Sequence, residues 1–462
     1  MRASPERTRH DGVWVTERWL GRGRCFATSE SGERLAVEGA LPGERVRVDL
    51  YRTRWKRWGV VREVLEPSHD RVAPSCPHAS VCPGCALLHT TPEEEDRYKA
   101  LVIEEVFARE LPGAWIGPVR CVAPARRGGH RWRASFAFEA SRAEVRVGLR
   151  GADGGIVHAP ECPANAPALE AVFIAWIQHA RAASADDAWA GRVEALEGRD
   201  GARALRVQVE RGAFPEGLAD ALARVVDSGA LAGAVLEAPG APPRHIGAWP
   251  APPGIGPLPI SGAPTVALTS SLDGWTQPTP RQARDVYAWA LDRLAPRVGL
   301  RALDVGCATG GLSIALAMAG AEVLGVDVDP AAFRAAERSV DALNAERATP
   351  LRACFRGGKA ETVLPRLVRD GAHFDVALVN PMRSALGEAA MGALDALGVQ
   401  RVVYLAPSAM AGVKDLRALL ACGFVLDDVG VANLHPGGSA LLLCASLRRG
   451  ALPEQGEHSA GS

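Results

Sequence analysis

From about residue 280 onward, helix-period stretches alternate with short, wholly apolar runs, and one junction carries Asp304-Val305-Gly306-Cys307-Ala308-Thr309-Gly310-Gly311. Apolar runs without a polar alternate face are strands covered on both sides, and such strands require helical crossovers. The pattern predicts a helix over 282–294, a strand at Ala302–Val305 and a helix from Leu312. It then predicts a strand at Glu322–Val326 ending in Asp327, a helix after Pro330, and strands at 374–379 and 402–405. The fold expected is a doubly wound parallel α/β sheet, whose ligand crevice lies beyond the carboxyl ends of the strands. There Gly306, Gly310 and Gly311 let backbone approach a ligand, and the helix N-terminus favours anionic groups. The Gly-x-x-x-Gly-Gly spacing differs from the dinucleotide fingerprint and suits S-adenosylmethionine, with Asp327 spaced to accept ribose hydroxyls. The run Phe374–Arg383 ends another such strand and brings Asn380 to the same crevice.

The front of the chain follows a different rule. Over residues 12–68, short β-rich runs such as Arg45–Leu50 and Gly59–Val64 alternate with Gly and Pro turns, the mark of a small barrel. Between these two runs, Tyr51 to Trp58 interleaves Arg52, Arg54, Lys56 and Arg57 with three aromatics, a combination that neutralises phosphates and stacks on bases. A solvated hairpin tip reads equally well. A helix is expected over 92–110, with Thr91 as N-cap, Pro92 in the first turn and Glu94 completing a capping box. Strands at 134–138 and 143–149, a helical stretch over 166–195 and a loop or linker over 239–264 make the central region mixed.

Three cysteines crowd into Cys76-x5-Cys82-x2-Cys85, and Cys162 in Glu161-Cys162-Pro163 is the candidate fourth. Ten cysteines in 462 residues are too few for a disulfide scaffold. Thiolates this close repel unless a cation holds them, and zinc or an iron–sulfur cluster satisfies soft sulfur donors. Spacing alone leans towards zinc. The N-terminus has no apolar signal core and no apolar run reaches membrane length, so a cytoplasmic protein with no membrane contact is expected. The net charge of zero excludes a wholly basic nucleic-acid binder but leaves room for a local basic patch.

Taken together, these motifs resemble the uracil-5 RNA methyltransferase family over nearly the whole chain, and within it the 23S rRNA type with a TRAM domain and a 4Fe-4S cluster. Gly39–Glu44 looks like the TRAM phrase before a barrel strand. Arg71–Cys76 through Cys85 looks like the cluster-binding stretch, with Cys162 at the fourth ligand. The resemblance implies an iron–sulfur cluster rather than zinc. His130–Arg133 stands where the family has a basic RNA-facing segment. Trp275-Thr276-Gln277 resembles its Phe-x-Gln motif, which implies that Gln277 contacts the cofactor. The implied architecture is a TRAM-like barrel over 1–68, a central iron–sulfur and RNA-binding domain over 69–275, a Rossmann-like methyltransferase domain over 276–450 and a disordered tail over 451–462. The implied partner is RNA, ribosomal or transfer, bound by a monomer that needs no protein partner.

The departures from the family pattern fall on the chemistry. Its Asp-Pro-Pro-Arg is here Asn380-Pro381-Met382-Arg383. Its Ser-Cys-Asn-Pro aligns with Ala406–Ala409, so Pro407 occupies the nucleophile position. Its catalytic Glu, expected after the late Phe-Pro, has no counterpart after His435-Pro436. Carbon-5 of uracil is a poor nucleophile, which the family activates by adding a thiolate at carbon-6 and later removing a proton with a base. Proline does neither. No catalytic residue is therefore assigned. Direct transfer to nitrogen or oxygen needs no covalent cysteine, and a catalytically silent RNA-binding protein that keeps cofactor and cluster is the alternative.

Overall fold

The computed structural model describes residues 6–115, 117–151, 154–184, 188–249, 254–260, 265–266, 268, 275–382 and 384–450. The tail expected over 451–462 lies outside them.

The first five strands are β1 (Glu6–Leu20), β2 (Arg24–Ser29), β3 (Arg34–Glu38), β4 (Arg45–Arg52) and β5 (Arg57–Glu66). They close into a barrel in the order β1-β2-β3-β5-β4. Closure works because alternate residues point inward: Val46 and Val48 of β4 are buried together with Trp14, Val37 and Leu41. Helix α1 (Pro92–Glu110) seals one side of the barrel, with Tyr98 against Trp19 at 4.6 Å between ring centroids. Thr91 caps α1 by accepting from the Glu94 N–H, but the Glu94 carboxylate does not return the bond; it accepts from the Trp19 indole at 2.7 Å. Only half of the expected capping box forms, because the other half ties helix to barrel.

After β6 (Arg120–Ala123) come β7 (Arg133–Ala140), β8 (Val145–Arg150), β9 (Ile156–His158), α2 (Pro167–Ala183), β10 (Trp189–Glu197), β11 (Arg203–Arg211), α3 (Leu218–Asp227), β12 (Gly233–Glu237) and β13 (Arg244–Gly247). Their seven-stranded sheet runs β13-β12-β11-β10-β7-β8-β9. Phe138 and Trp189 from the strands meet Trp176 from α2, each edge to face at 5.7 Å. Truncating Trp176 to Ala in this fully buried cluster costs about 3–5 kcal/mol. Two expectations change here. The stretch read as helix to 195 turns to strand at Trp189, because its alternating buried residues pair with β7 along the full length. Within the 239–264 stretch read as linker, β13 pairs antiparallel with β12.

The rest comprises α4 (Pro280–Leu294), β14 (Arg301–Val305), α5 (Gly311–Met318), β15 (Glu322–Asp327), α6 (Pro330–Ala345), β16 (Ala353–Gly357), α7 (Ala360–Arg369), β17 (Val376–Val379), α8 (Glu388–Ala396), β18 (Arg401–Ala406), α9 (Ala409–Ala421), β19 (Phe424–Ala432) and β20 (Leu442–Arg449). The sheet order is β16-β15-β14-β17-β18-β20-β19-β6. Strands β14 to β18 are parallel, as expected. β20 is antiparallel to both neighbours, so the sheet is mixed. β6, from the stretch expected to belong to the central domain, completes this sheet by pairing with β19. Helix α1 contributes Ile103, Val106 and Phe107 to the core on one face, while α4 and α5 cover the other. Among the described residues no helix is long and apolar enough to cross a membrane.

Candidate cofactor and cysteine sites

The glycine turn leaves β14 and enters α5. Gly306 and Gly310 have φ of +81° and +78°, left-handed values that favour glycine. A Cβ on Gly306 would stand 2.3 Å from the Asn380 carbonyl oxygen, so this turn and the end of β17 touch backbone to backbone. Asp327, at the end of β15, accepts from the Ala308 N–H at 2.7 Å and from the Asp329 N–H at 2.8 Å. These bonds fix its carboxylate beside the turn and leave further lone pairs for a ligand. Thr309 ties the turn to the strap above it, donating to the Trp275 carbonyl at 3.0 Å and meeting the Thr276 hydroxyl at 3.2 Å. Trp132, just before β7, donates its indole N–H to the Gln277 carbonyl at 2.6 Å.

Asp304, Gly306, Gln277 and Asn380 all line the cavity that results. It is narrow, about 20 Å³. Asp304 is 1% exposed; one oxygen accepts from Ser313 at 2.5 Å and the other has no partner among the described residues. Burial raises its carboxyl to about 7; the Ser313 bond opposes this and the Asp327 charge adds to it. An orphaned carboxyl oxygen, a glycine turn and a strand-end acid fit a ligand with a cationic group and ribose hydroxyls. Five expected residues, Gln277, Asp304, Gly306, Asp327 and Asn380, are therefore gathered; Gly310 opens α5 just behind the turn and packs on Ala336 and Phe355. Sequence reasoning did not single out Tyr287 and Thr309, which also line the cavity. Tyr287 arrives from α4 and crowds Gly311, a contact without sequence signal.

The thiols of Cys76, Cys82, Cys85 and Cys162 are free and partly buried. Burial pushes Cys85 up to about 11; Arg131 pulls it back, while Cys162, Cys82 and Cys76 reinforce the rise. Burial likewise raises Cys162, again opposed by Arg131. The four are electrostatic neighbours, although among the described residues no group of three or more His, Cys, Asp or Glu side chains is placed to hold a metal ion. The segment packs on the loop after β19: a Cβ on Gly437 would meet Cys85 Cβ at 3.7 Å, and Leu87 N–H donates to the Gly437 carbonyl at 2.8 Å.

Two expected features sit differently. In the His130–Arg133 segment, His130 and Trp132 are buried, Arg133 pairs with Glu194 at 2.6 Å and Arg131 is half-buried. Its partners come from 164–166, 194–197 and 277–278, none of them adjacent in the chain. At the barrel tip, Trp55 is 80% exposed with Arg54 over its ring at 4.8 Å, but Arg57 is already paired with Glu33. Ser408, beside Pro407, caps α9 by accepting from the Ala411 N–H.

Strand order, glycine turn and strand-end acid are those of a class I S-adenosylmethionine-dependent methyltransferase, and the methyltransferase-domain family matches residues 296–406. The Halomonas elongata protein named 23S rRNA (uracil(1939)-C(5))-methyltransferase RlmD is 30% identical over 449 residues, covering 91% of this chain and 86% of its own. The protein of the same name from Alkalilimnicola ehrlichii is 30% identical over 420 residues, covering 87% and 88%. The chain belongs to this uracil-5 RNA methyltransferase family. Its fold is that of the Pyrococcus abyssi tRNA (uracil-54, C5)-methyltransferase solved with S-adenosyl-L-homocysteine, with a TM-score of 0.70 at 17% identity, covering 94% of this chain and 99% of that one.

Proposed function

We propose that this protein methylates a structured RNA, ribosomal or transfer, by direct transfer without a covalent cysteine adduct. The observation that carries this reading is the coexistence of the cavity at the glycine turn with Pro407 directly after β18. S-adenosylmethionine supplies a methyl group on a sulfonium centre. Asp304 offers its unpartnered oxygen to a cationic group and Asp327 accepts ribose hydroxyls. Gly306 and Gly310 give the turn its left-handed bends. Gln277 and Asn380 face the same cavity from the strap and from the end of β17.

The same reading gives Cys76, Cys82, Cys85 and Cys162 a 4Fe-4S cluster. Four mutually influencing thiols beside a guanidinium support it, since a cubane spreads its sulfur ligands wider than a single ion does. The cluster holds the cysteine segment against the loop after β19. The barrel, read as a TRAM domain over 1–68, presents Arg52, Arg54, Trp55 and Lys56 to RNA. The remaining division, 69–275 and 276–450, a monomeric state and a cytoplasmic location complete the proposal.

The test is methyl transfer from labelled cofactor to unmodified ribosomal and transfer RNA, paired with 5-fluorouridine RNA as a trap for a covalent adduct. Label without adduct is expected. A stable cofactor-dependent adduct overturns the direct-transfer reading. Absence of label with every RNA, in protein that still binds cofactor, leaves the silent RNA-binding alternative.

A further inference from the structure

The segment that closes the cofactor cavity is held from outside the methyltransferase sheet. Trp275, Thr276 and Gln277 line the cavity, yet residues 275–278 belong to no helix or strand. A stretch without ladder bonds keeps its place only through the groups that tie it. One tie comes from the glycine turn, where the Thr309 hydroxyl donates to the Trp275 carbonyl. Two come from Trp132, whose indole N–H donates to the Gln277 carbonyl at 2.6 Å and whose main-chain N–H donates to the Pro278 carbonyl at 3.1 Å. Trp132 is itself firmly seated. It is 6% exposed, its ring sits with Leu196 of β10, Ala204 of β11 and Val235 of β12, and its carbonyl accepts from the Glu197 N–H at 2.9 Å. An indole is a donor only, so its N–H has a single use, and the Gln277 carbonyl fills it.

We propose that Trp132 is a positioning residue for the cofactor: it pegs the Gln277 segment to the seven-stranded sheet and so sets the affinity of the cavity for S-adenosylmethionine. A ligand binds only the fraction of molecules whose site is formed, and its apparent dissociation constant rises as that fraction falls. With the ties in place, the segment stands in its cavity-lining position before the ligand arrives, and little ordering entropy remains to be lost on binding. Without the indole N–H, the Gln277 carbonyl loses its partner and the segment hangs from the Trp275 and Pro278 carbonyls. The coupling is reciprocal: a ligand that fixes the segment also tightens the part of the sheet that Trp132 occupies. Among the described residues, the strands of the seven-stranded sheet supply none that lines the cavity, yet through Trp132 that sheet takes part in cofactor binding.

This proposal rests on the reading of the cavity as the cofactor site, and the experiment separates the two. Calorimetry with S-adenosylhomocysteine is run on the full-length wild type and on Trp132→Phe, Val235→Ala and Asp327→Ala. Trp132→Phe keeps a ring among Leu196, Ala204 and Val235 and loses the donor. It should bind about three- to tenfold more weakly, the scale of one lost hydrogen bond. Val235→Ala loosens the same apolar cluster without touching the tie; it should lower the melting temperature and leave the affinity at the wild-type value. Wild-type affinity in Trp132→Phe, with weak binding in Asp327→Ala, overturns the peg and leaves the cofactor site standing. Equal losses in Trp132→Phe and Val235→Ala make Trp132 a residue of the sheet core alone and also overturn it. Wild-type affinity in both Trp132→Phe and Asp327→Ala overturns the site reading together with the peg. A second readout needs no variant: hydrogen exchange of the wild type with and without S-adenosylhomocysteine. The Trp132 and Glu197 amides, whose bonds hold the peg in place, should exchange more slowly with ligand bound. Unchanged exchange at both overturns the proposal even where Trp132→Phe fails to fold.

Discussion

The ammonium of Lys99 donates to the Asn433 side-chain oxygen across 2.6 Å, although 334 residues separate them. Lys99 also pairs with Glu95 at 2.8 Å, and both side chains are fully buried. Glu95 accepts in turn from Arg127 at 2.6 Å, from the Asn433 amide at 2.7 Å and from the Gly437 N–H at 2.9 Å. This network fastens α1 to the loop after β19, the loop on which the cysteine segment also rests. Glu95→Gln leaves the Lys99 charge buried with too little compensation and should destabilise the protein by about 3–5 kcal/mol. Thermal unfolding reads this; an unchanged midpoint contradicts the network's role. The double replacement of Glu95 and Lys99 by Gln and Met should cost less than the two singles summed, as expected for groups in contact.

Asp304 gives the cofactor-free protein a pH signature. Its carboxyl is raised by burial from the ordinary aspartate range to about 7. A raised folded-state value means that the protonated form favours folding. The contribution is full below about 4 and is lost as pH rises through about 7. Asp304→Asn should therefore flatten the fall in melting temperature between those limits and stabilise the cofactor-free protein at pH 8. A wild-type and variant pair with parallel pH curves would count against it. The same variant should bind S-adenosylmethionine more weakly, since its cationic partner is lost.

Asp327 is tested at the cofactor. Asp327→Ala removes a charged acceptor and two bonds that hold the turn, from Ala308 and Asp329. Calorimetry should show S-adenosylmethionine affinity weaker by roughly 1.5–3 kcal/mol. Affinity equal to wild type excludes Asp327 from the site.

RNA binding should depend on salt through the barrel tip. Replacing Arg52, Arg54 and Lys56 by Ala should lower the slope of log affinity against log salt by about 2–3, close to one per phosphate contact. Arg57→Ala should change it less, because Glu33 already neutralises that guanidinium. Equal slopes in the triple variant and wild type place the RNA surface elsewhere.

The cysteine site is tested by metal content. Anaerobically purified protein should be brown and hold about four irons per chain. Stoichiometric zinc without iron refutes the cluster. Cys82→Ser should remove the colour and lower the melting temperature, since the segment loses its link to the loop at Gly437.

Local rules made much of this protein readable in its sequence. The apolar runs at Ala302–Val305 and 402–405, the glycine turn and Asp327 all appear where periodicity and turn chemistry put them, because a strand covered on both faces and a left-handed turn each demand particular residue types. Thr91 and Pro92 likewise marked the start of α1. What sequence could not supply is partnership across distance. Nothing local says that β6 crosses to pair with β19, that Trp132 reaches the Gln277 carbonyl, or that Glu94 spends its carboxylate on Trp19 instead of its own helix. The burial of His130 and Trp132 is hidden for the same reason: charge is a property of residues, whereas exposure is a property of what packs on them. The sequence by itself determined the family, the glycine turn between strand and helix, and a proline directly after the buried strand that ends at Ala406. Tertiary structure alone decided that a buried Lys99 would join the first helix to the last loop and that Asn380 would meet the cofactor turn with its amide unpartnered by any described residue. Such pairings are set by how sheets and helices stack, and stacking brings together residues whose spacing in the chain carries no trace of it.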